Sequence, residues 1–492
     1  MARVDIPLPG KDKDYDSRKS RAKLVNLMVD LNIDGSFRSI NKREGLRLLG
    51  PTTNGDDIIS NFLRVSLPSG PSIYFCGTTN LYSISATGAI VDLGAHGLTA
   101  ATSVEVSANT AIPVEILFLN NSTPGDAVIY RTGFANTLIT DVSFTGKNPT
   151  SVDYVNNRFV FADTLNSPEF FISAPNDGFT YDPLAFAAAD EENGRIVATL
   201  SYKSGIRVFT TNHTEFWQAD SDVLFPFRRI QGASWRIGAA SLPIKLHETI
   251  SFLGSDYKVY MANGSEYKAV SDIDFSNIVQ SDEGIAPKNF FIDGVNHQYY
   301  TFTSHVYGFA GFADFTWAYD LKTGQSHYRT SPGRDFWNVG AAEFLEFRNT
   351  QDVYVSRFYD GDPANDTENV YTLSPNNYAD EEGDFDCILQ SGSVSFDHDS
   401  TIEFIEIEME TGVGNVDSPN PVMSVEYSKD GGVNFTTWGT VPLGAAGDNS
   451  KRVKMNGFGR LVRHTDFVLK LTITEPVRVV FYGAYAEITG GF

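Results

Sequence analysis

One pattern recurs through the middle of this chain and constrains its fold more than any other feature: a short apolar-aromatic strand, a tight turn, a second strand carrying an aromatic, and another turn. It reads as IYFCGTTNLYSIS (73–85), ILFLNNSTPGDAVIYRT (116–132), NRFVFADTLNSPEFFIS (157–173), RVFTTNHTEFWQ (207–218), TISFLGSDYKVYMANGSEY (249–267), QYYTFTSHVYGFAGFADFTWAYD (298–320) and DVYVSRFYDGDPANDTENVYTLS (352–374). The starts lie roughly 40 to 55 residues apart, the period of a four-stranded propeller blade. Turn chemistry marks the tips at Gly77 to Asn80, Gly254 to Asp256, Asn263-Gly264 and Lys322 to Gly324. Radial stacking of such sheets buries both faces and leaves few free edges. The sequence therefore predicts an all-β fold whose body, residues 46–380, is a six- to seven-bladed β-propeller. Because the 298–320 unit is long and the 352–374 unit is acidic and loop-rich, six blades plus an extra hairpin fit as well as seven. With neither a WD dipeptide nor a kelch motif, hairpins grouped in two sandwiches are the competing arrangement.

The two ends lack this rhythm. Residues 1–45 read as an extended N-terminal arm, with Pro7, Pro9 and Gly10 ahead of the chain's one basic cluster, Lys11, Lys13, Arg18, Lys19, Arg21 and Lys23. That cluster is either a solvated segment or a contact onto a neighbouring subunit. Beyond the acidic run Asp380-Glu381-Glu382-Gly383-Asp384, residues 381–492 carry longer alternating strands. In IEIEMET, Ile405, Ile407 and Met409 share one face and Glu406, Glu408 and Glu410 the other, the mark of a half-buried strand. A C-terminal antiparallel β-sandwich is expected. The aromatic fraction of 13% and the 42 glycines suit sheets and turns.

The formal net charge of −23 opposes a large surface for phosphate or anionic lipid. The N-terminus lacks an apolar signal-like region, and no stretch approaches the ~18–20 apolar residues of a membrane span. Cys76 and Cys387 are far apart, in no metal-binding spacing, and read as buried small thiols. His96, His213, His247, His297, His305, His327, His398 and His464 form no HxH or HExxH motif. His213 and Glu215 share a strand face and are expected to be a satisfied surface pair. Asp360, Asp362 and Asp366 superficially suggest a Ca²⁺ loop but lack its 12-residue frame, so an acidic turn is expected. No catalytic, cofactor-binding or metal residues are assigned. The sharpest motif, Ser428, Asp430, Gly432 and Phe435 in SKDGGVNF, fits the Asp-box pattern of β proteins and predicts a stapled turn.

With these residues in view the chain resembles a known family. Leu24-Val25-Asn26-Leu27-Met28, Gly35 to Arg38, Lys42-Arg43-Glu-Gly45-Leu46, Val208 to Trp217, Ile405 to Val413, Asp430 to Phe435, Lys451-Arg452, Gly459-Arg460 and Phe467 to Leu471 are similar to stretches of the packaged-DNA stabilisation proteins, or tail hub subunits, of short-tailed phages related to the Salmonella podovirus. The resemblance implies a structural, non-enzymatic protein without cofactor, assembled in the bacterial host cytoplasm and carried in the virion tail. It implies a homo-hexamer below the portal and adaptor rings that closes the head after packaging. It also implies contacts with the tail needle and with tailspikes or fibres, double-stranded DNA passing through the lumen without specific binding, and no membrane partner. The rival readings are a propeller glycosidase and a non-catalytic glycan-binding tail protein.

Overall fold

The computed structural model describes residues 2–9, 22–221, 225–271, 273–281, 288–293, 297–304, 314–347, 350–357, 367–374, 376–396 and 398–490. The chain divides into two compact units, each discontinuous in sequence: Leu48–Ala313 with Val339–Thr372, and Met1–Arg47 with Asp314–Asn338 and Leu373–Phe492. This replaces the contiguous division at residues 45 and 380 expected from the sequence. Strand pairing, described below, is the reason.

The first unit is the propeller. Its described residues form six four-stranded antiparallel sheets. Five are continuous in sequence and open at Leu63–Leu67, Val104–Ala108, Pro149–Val155, Ile196–Tyr202 and Ile244–Leu246. The sixth joins Ala341–Phe347, Thr350–Ser356 and Asn369–Ser374 to an outermost strand, Gly45–Pro51, borrowed from near the N-terminus. A hairpin, Lys288–Asp293 with Gln298–Ser304, lies between the fifth and sixth sheets, its first strand beside Ile244–Leu246 and Ala341–Phe347. Within this unit the arrangement is thus six sheets plus an extra hairpin, one of the two counts the repeat pattern allowed.

The core of the propeller lies between neighbouring sheets, so each blade is apolar on both faces. The strand Glu115–Asn120 illustrates it, because all six residues are buried. Ile116 and Phe118 pack with Tyr74, Cys76 and Leu81 of the first sheet, whereas Leu117 and Leu119 pack with Phe159, Phe161 and Phe171 of the third. Burial on both faces explains why the middle strands read as continuous apolar runs rather than alternating ones. Aromatic rings fill the wedges: Phe161 stacks on Phe171 at 5.0 Å between centroids and meets Phe144 edge-on at 5.3 Å.

The second unit is a β-sandwich. One sheet runs Phe315–Asp320, Ser326–Arg329, Lys23–Val25, Cys387–Gln390, Asp466–Ile473, Val422–Ser428 and Thr436–Pro442, with a parallel pairing only between Lys23–Val25 and Ser326–Arg329 among those described. The other runs Leu27–Leu31, Phe37–Lys42, Val480–Gly490, Ser400–Met409 and Val453–Asn456, with Ala2–Asp5 pairing Val480–Gly490. Leu24, Leu27, Ile40, Leu389, Ile405, Ile407, Met423 and Leu469 from the two sheets share one core. As the alternation predicts, Ile405 and Ile407 point inward, while Glu406 accepts from the Tyr485 hydroxyl at 2.8 Å and Glu408 faces Arg3 at 3.4 Å. The described parts of residues 1–45 are therefore built into both sheets of the sandwich instead of forming a separate arm. Their apolar residues Leu24, Leu27, Val29 and Ile40 supply part of the core, which an independent arm would leave in water. Among the described residues no helix is long and apolar enough to cross a membrane.

Candidate functional site

Three constructions stand out: a buried ionic lock in the sandwich, a stapled turn at its end, and a cleft in the propeller. The lock is built from the residues that carry the N-terminal family resemblance. Asn26, in the left-handed backbone region at φ 56°, interrupts the strand between Val25 and Leu27 and is fully buried. A left-handed non-glycine residue is most readily Asn, whose short side chain bonds locally. Its Nδ2 donates to Thr330 Oγ1 and to the Asp386 carbonyl, both at 2.8 Å, while its Oδ1 accepts from Arg43 Nε at 2.8 Å and from the Thr330 amide at 3.0 Å. Arg43 in turn grips Asp380 with two bonds of 2.9 and 2.7 Å, and neither side chain is exposed. The guanidinium lies 3.7 Å from the Phe385 ring centroid, and Asp380 also accepts from the Leu46 amide at 3.1 Å. Gly45 is required by close approach: a Cβ there would lie 2.0 Å from the Ala379 carbonyl oxygen. The motif residues Asn26, Arg43 and Gly45 are thus a clasp that fastens chain segments hundreds of positions apart.

The Asp-box lies in the turn joining Val422–Ser428 to Thr436–Pro442. Asp430 accepts from the Asn434 amide at 2.9 Å, the Val433 amide at 3.1 Å, Asn434 Nδ2 at 2.7 Å and Ser428 Oγ at 2.6 Å. Ser428 Oγ accepts from the Gly432 amide at 2.9 Å. Gly431 and Gly432 take φ of 72° and 85°, which side chains resist. Phe435 is half-buried, with the Lys470 ammonium 5.4 Å from its ring centroid. Removing the buried Ser428 hydroxyl by Ser428→Ala should lower stability by about 1–2 kcal/mol in equilibrium denaturation.

The bonds from the Asn434 amide, the Ser428 hydroxyl and the Asn434 side chain hold the Asp430 carboxyl far below the usual carboxylate range. A carboxyl depressed on folding stabilises above its unfolded value, roughly pH 4, and that contribution is lost as pH falls toward its folded value. The difference in stability between the wild type and Asp430→Asn should therefore shrink as denaturation is repeated from pH 7 down to pH 3. An unchanged difference would mean the carboxylate's charge is not what closes the turn.

In the propeller, His213 and Glu215 do share a strand face, but they are buried, not at the surface as expected. Neighbouring polar groups take the place of water around the pair. Glu215 Oε1 lies 3.2 Å from His213 Nε2, accepts from the Glu191 amide at 2.8 Å and lies 3.5 Å from Arg229, while Oε2 accepts from Trp217 Nε1 at 2.9 Å. Arg229 reaches outward to the exposed Asp190 at 2.9 Å. Above them opens a cleft of about 780 Å³, lined by Ala188, Asp190, Trp217, Gln218, Phe227, Arg228, Arg229, Ile230 and Gln231. It is large enough for a small polar ligand, with an aromatic wall and a fixed guanidinium.

Of the basic cluster, Lys11, Lys13, Arg18, Lys19 and Arg21 lie outside the described residues. Lys23 is exposed on the strand Lys23–Val25, its ammonium 4.6 Å from the Tyr328 ring centroid. Asp360, Asp362 and Asp366 also lie outside the described residues. Among the described residues no group of three or more His, Cys, Asp or Glu could hold a metal ion. Both thiols are buried, and burial pushes Cys387 up to about 11 and Cys76 further, so neither is poised as a thiolate.

No curated protein matches the chain significantly. Among solved structures, the exo-β-1,3-galactanase from Phanerochaete chrysosporium overlaps with 10% identity, 91% of this chain, 100% of that one and a TM-score of 0.28. The AfRom2 CNH domain overlaps with 10% identity, 67% of this chain, 99% of that one and a TM-score of 0.37. Overlaps this loose carry no argument about activity or ligand. The family model described as Bacteriophage P22 Gp10, beta-propeller, matches residues 70–368, from the first sheet into the sixth. That span is more than half of the 492 residues. The chain belongs to this phage stabilisation family of bacteriophage structural proteins.

Proposed function

We propose that the chain is a tail hub subunit of a short-tailed phage, closing the portal channel once DNA is packaged and forming part of the conduit through which DNA is ejected. The family match over residues 70–368 carries this reading. In it the chain acts by assembly rather than turnover: a homo-hexamer docks on the portal and adaptor rings and presents sites for the tail needle and for tailspikes or fibres. Two all-β units with packed cores suit a part that must resist the pressure of packaged DNA. The net charge of −23 suits a lumen that repels phosphate and lets the duplex slide without sticking.

Phage particles made without this protein should package DNA and then lose it, and adding the purified chain to fresh filled heads should restore infectivity. Particles that retain both DNA and infectivity without it would overturn the assignment. The cleft beside Trp217 and Arg229 favours a second, subordinate reading, glycan binding by the tail. Binding on an array of host surface glycans that is lost in Trp217→Ala would support it.

A further inference from the structure

In the propeller, among the described residues, Arg207 has a buried stem and no carboxylate paired with its charge. Arg207 lies in the strand Gly205–Thr210, opposite Leu200 and Phe216, and keeps only 8% of its surface. Its guanidinium is stacked 3.7 Å from the Phe216 ring centroid and 4.7 Å from that of Tyr202. Its Nε is buried without an acceptor, and among the described residues the side chain makes no hydrogen bond or ion pair. Arg43, by contrast, is wholly buried and paired with Asp380, whereas Nη1 and Nη2 of Arg207 are not among the buried atoms and face solvent in place of a carboxylate. Carboxylates are not scarce, with 61 acidic residues against 38 basic. Yet Glu215 is occupied by His213, Trp217 and Arg229, and Glu248 pairs with Lys203 at 3.8 Å. Burial lowers the Arg207 pKa to about 10, which leaves the group cationic at neutral pH.

The surroundings are held in place. The Tyr202 hydroxyl accepts from the Gly264 amide at 2.7 Å and donates to Asn263 at 3.1 Å, and Trp235 Nε1 donates to the Ser265 carbonyl at 2.9 Å. The turn of the fifth sheet is thereby pinned to the fourth, so the aromatic walls around Arg207 exist before any partner arrives.

We infer that Arg207 is a socket for one carboxylate, supplied by an acidic side chain or chain terminus of a partner polypeptide. With a ring against its face, the guanidinium is left to be approached in its own plane, the approach a planar carboxylate makes with two parallel bonds. The free chain tolerates the unpaired charge because Nη1 and Nη2 keep access to water, which a docked carboxylate would replace. This inference does not depend on the tail hub role.

Thermal unfolding of the full chain tests it, with sodium acetate, a hexaglutamate peptide and sodium chloride compared at equal ionic strength. Arg207→Met, which keeps length and fills the aromatic slot, should unfold within about 2 °C of the wild type, because the guanidinium it removes makes no hydrogen bond or ion pair in the free chain. Acetate and hexaglutamate should raise the wild-type midpoint above its chloride value and leave Arg207→Met unmoved, with Arg207→Lys responding weakly. An Arg207→Met variant destabilised beyond that margin would show the guanidinium to be structural and overturn the inference. Equal responses in wild type and Arg207→Met would overturn it as well. A response to acetate without one to hexaglutamate would overturn the polypeptide as the source.

Discussion

Arg43→Met should destabilise the sandwich unit by about 3–5 kcal/mol, the loss expected when one partner of a buried ion pair is removed. Asp380 would be left with no exposed surface and without the two bonds of 2.9 and 2.7 Å that Arg43 supplies. Asn26 would lose the donor at 2.8 Å on its Oδ1. Asp380→Leu should be comparably damaging, since it strands the guanidinium in the same place. The double variant Arg43→Met with Asp380→Leu should recover much of the loss, because replacing both members of a buried pair by apolar groups is often near neutral. Urea denaturation with hydrogen exchange of Lys23–Val25 and Phe37–Lys42 would measure it, since both strands join their sheets beside this clasp. Additive losses in the double variant would mean that the two side chains are not coupled.

Glu215→Ala should have an effect of similar size on the propeller, about 3–5 kcal/mol, because the carboxylate is wholly buried and serves several donors at once. Its removal leaves Trp217 Nε1 and the Glu191 amide without their acceptor and Arg229 with Asp190 as its remaining carboxylate among the described residues. Glu215→Gln should fall between, since an amide oxygen can still accept one of these bonds while its NH₂ faces donors. Hydrogen exchange in Ile196–Tyr202 and Thr214–Ala219 is the readout, and exchange unchanged from wild type in Glu215→Ala would show that the wedge is held by its rings alone. The same variant should loosen Trp217 and Arg229, so any ligand of the cleft would be lost with it.

Much of the fold was written locally. Continuous apolar runs such as ILFLN need cover on both faces, and glycine-, asparagine- and aspartate-rich tips between them make hairpins, so stacked sheets follow from short-range chemistry. The Asp-box turn was legible for the same reason: Ser428, Asp430 and Gly432 bond within five residues, and no distant partner is needed to close the loop. The alternation of Ile405 and Ile407 with Glu406 and Glu408 likewise told which face of that strand is buried.

What the sequence could not carry was partnership across distance. Nothing near Gly45–Pro51 says that it completes a sheet begun at Ala341, and nothing near Arg43 says that its carboxylate is 337 residues away. For that reason residues 1–45 read as an arm although their described strands lie within the sandwich, and His213 with Glu215 read as a surface pair although both are buried. The sequence by itself determined an all-β chain of repeated hairpins with a strand-rich end, because turns and face alternation are set by residues a few positions apart. Only the tertiary structure decided which strands close the ring, which charges are buried and which stay unpaired, because hydration and ion pairing depend on what the whole chain packs against each group.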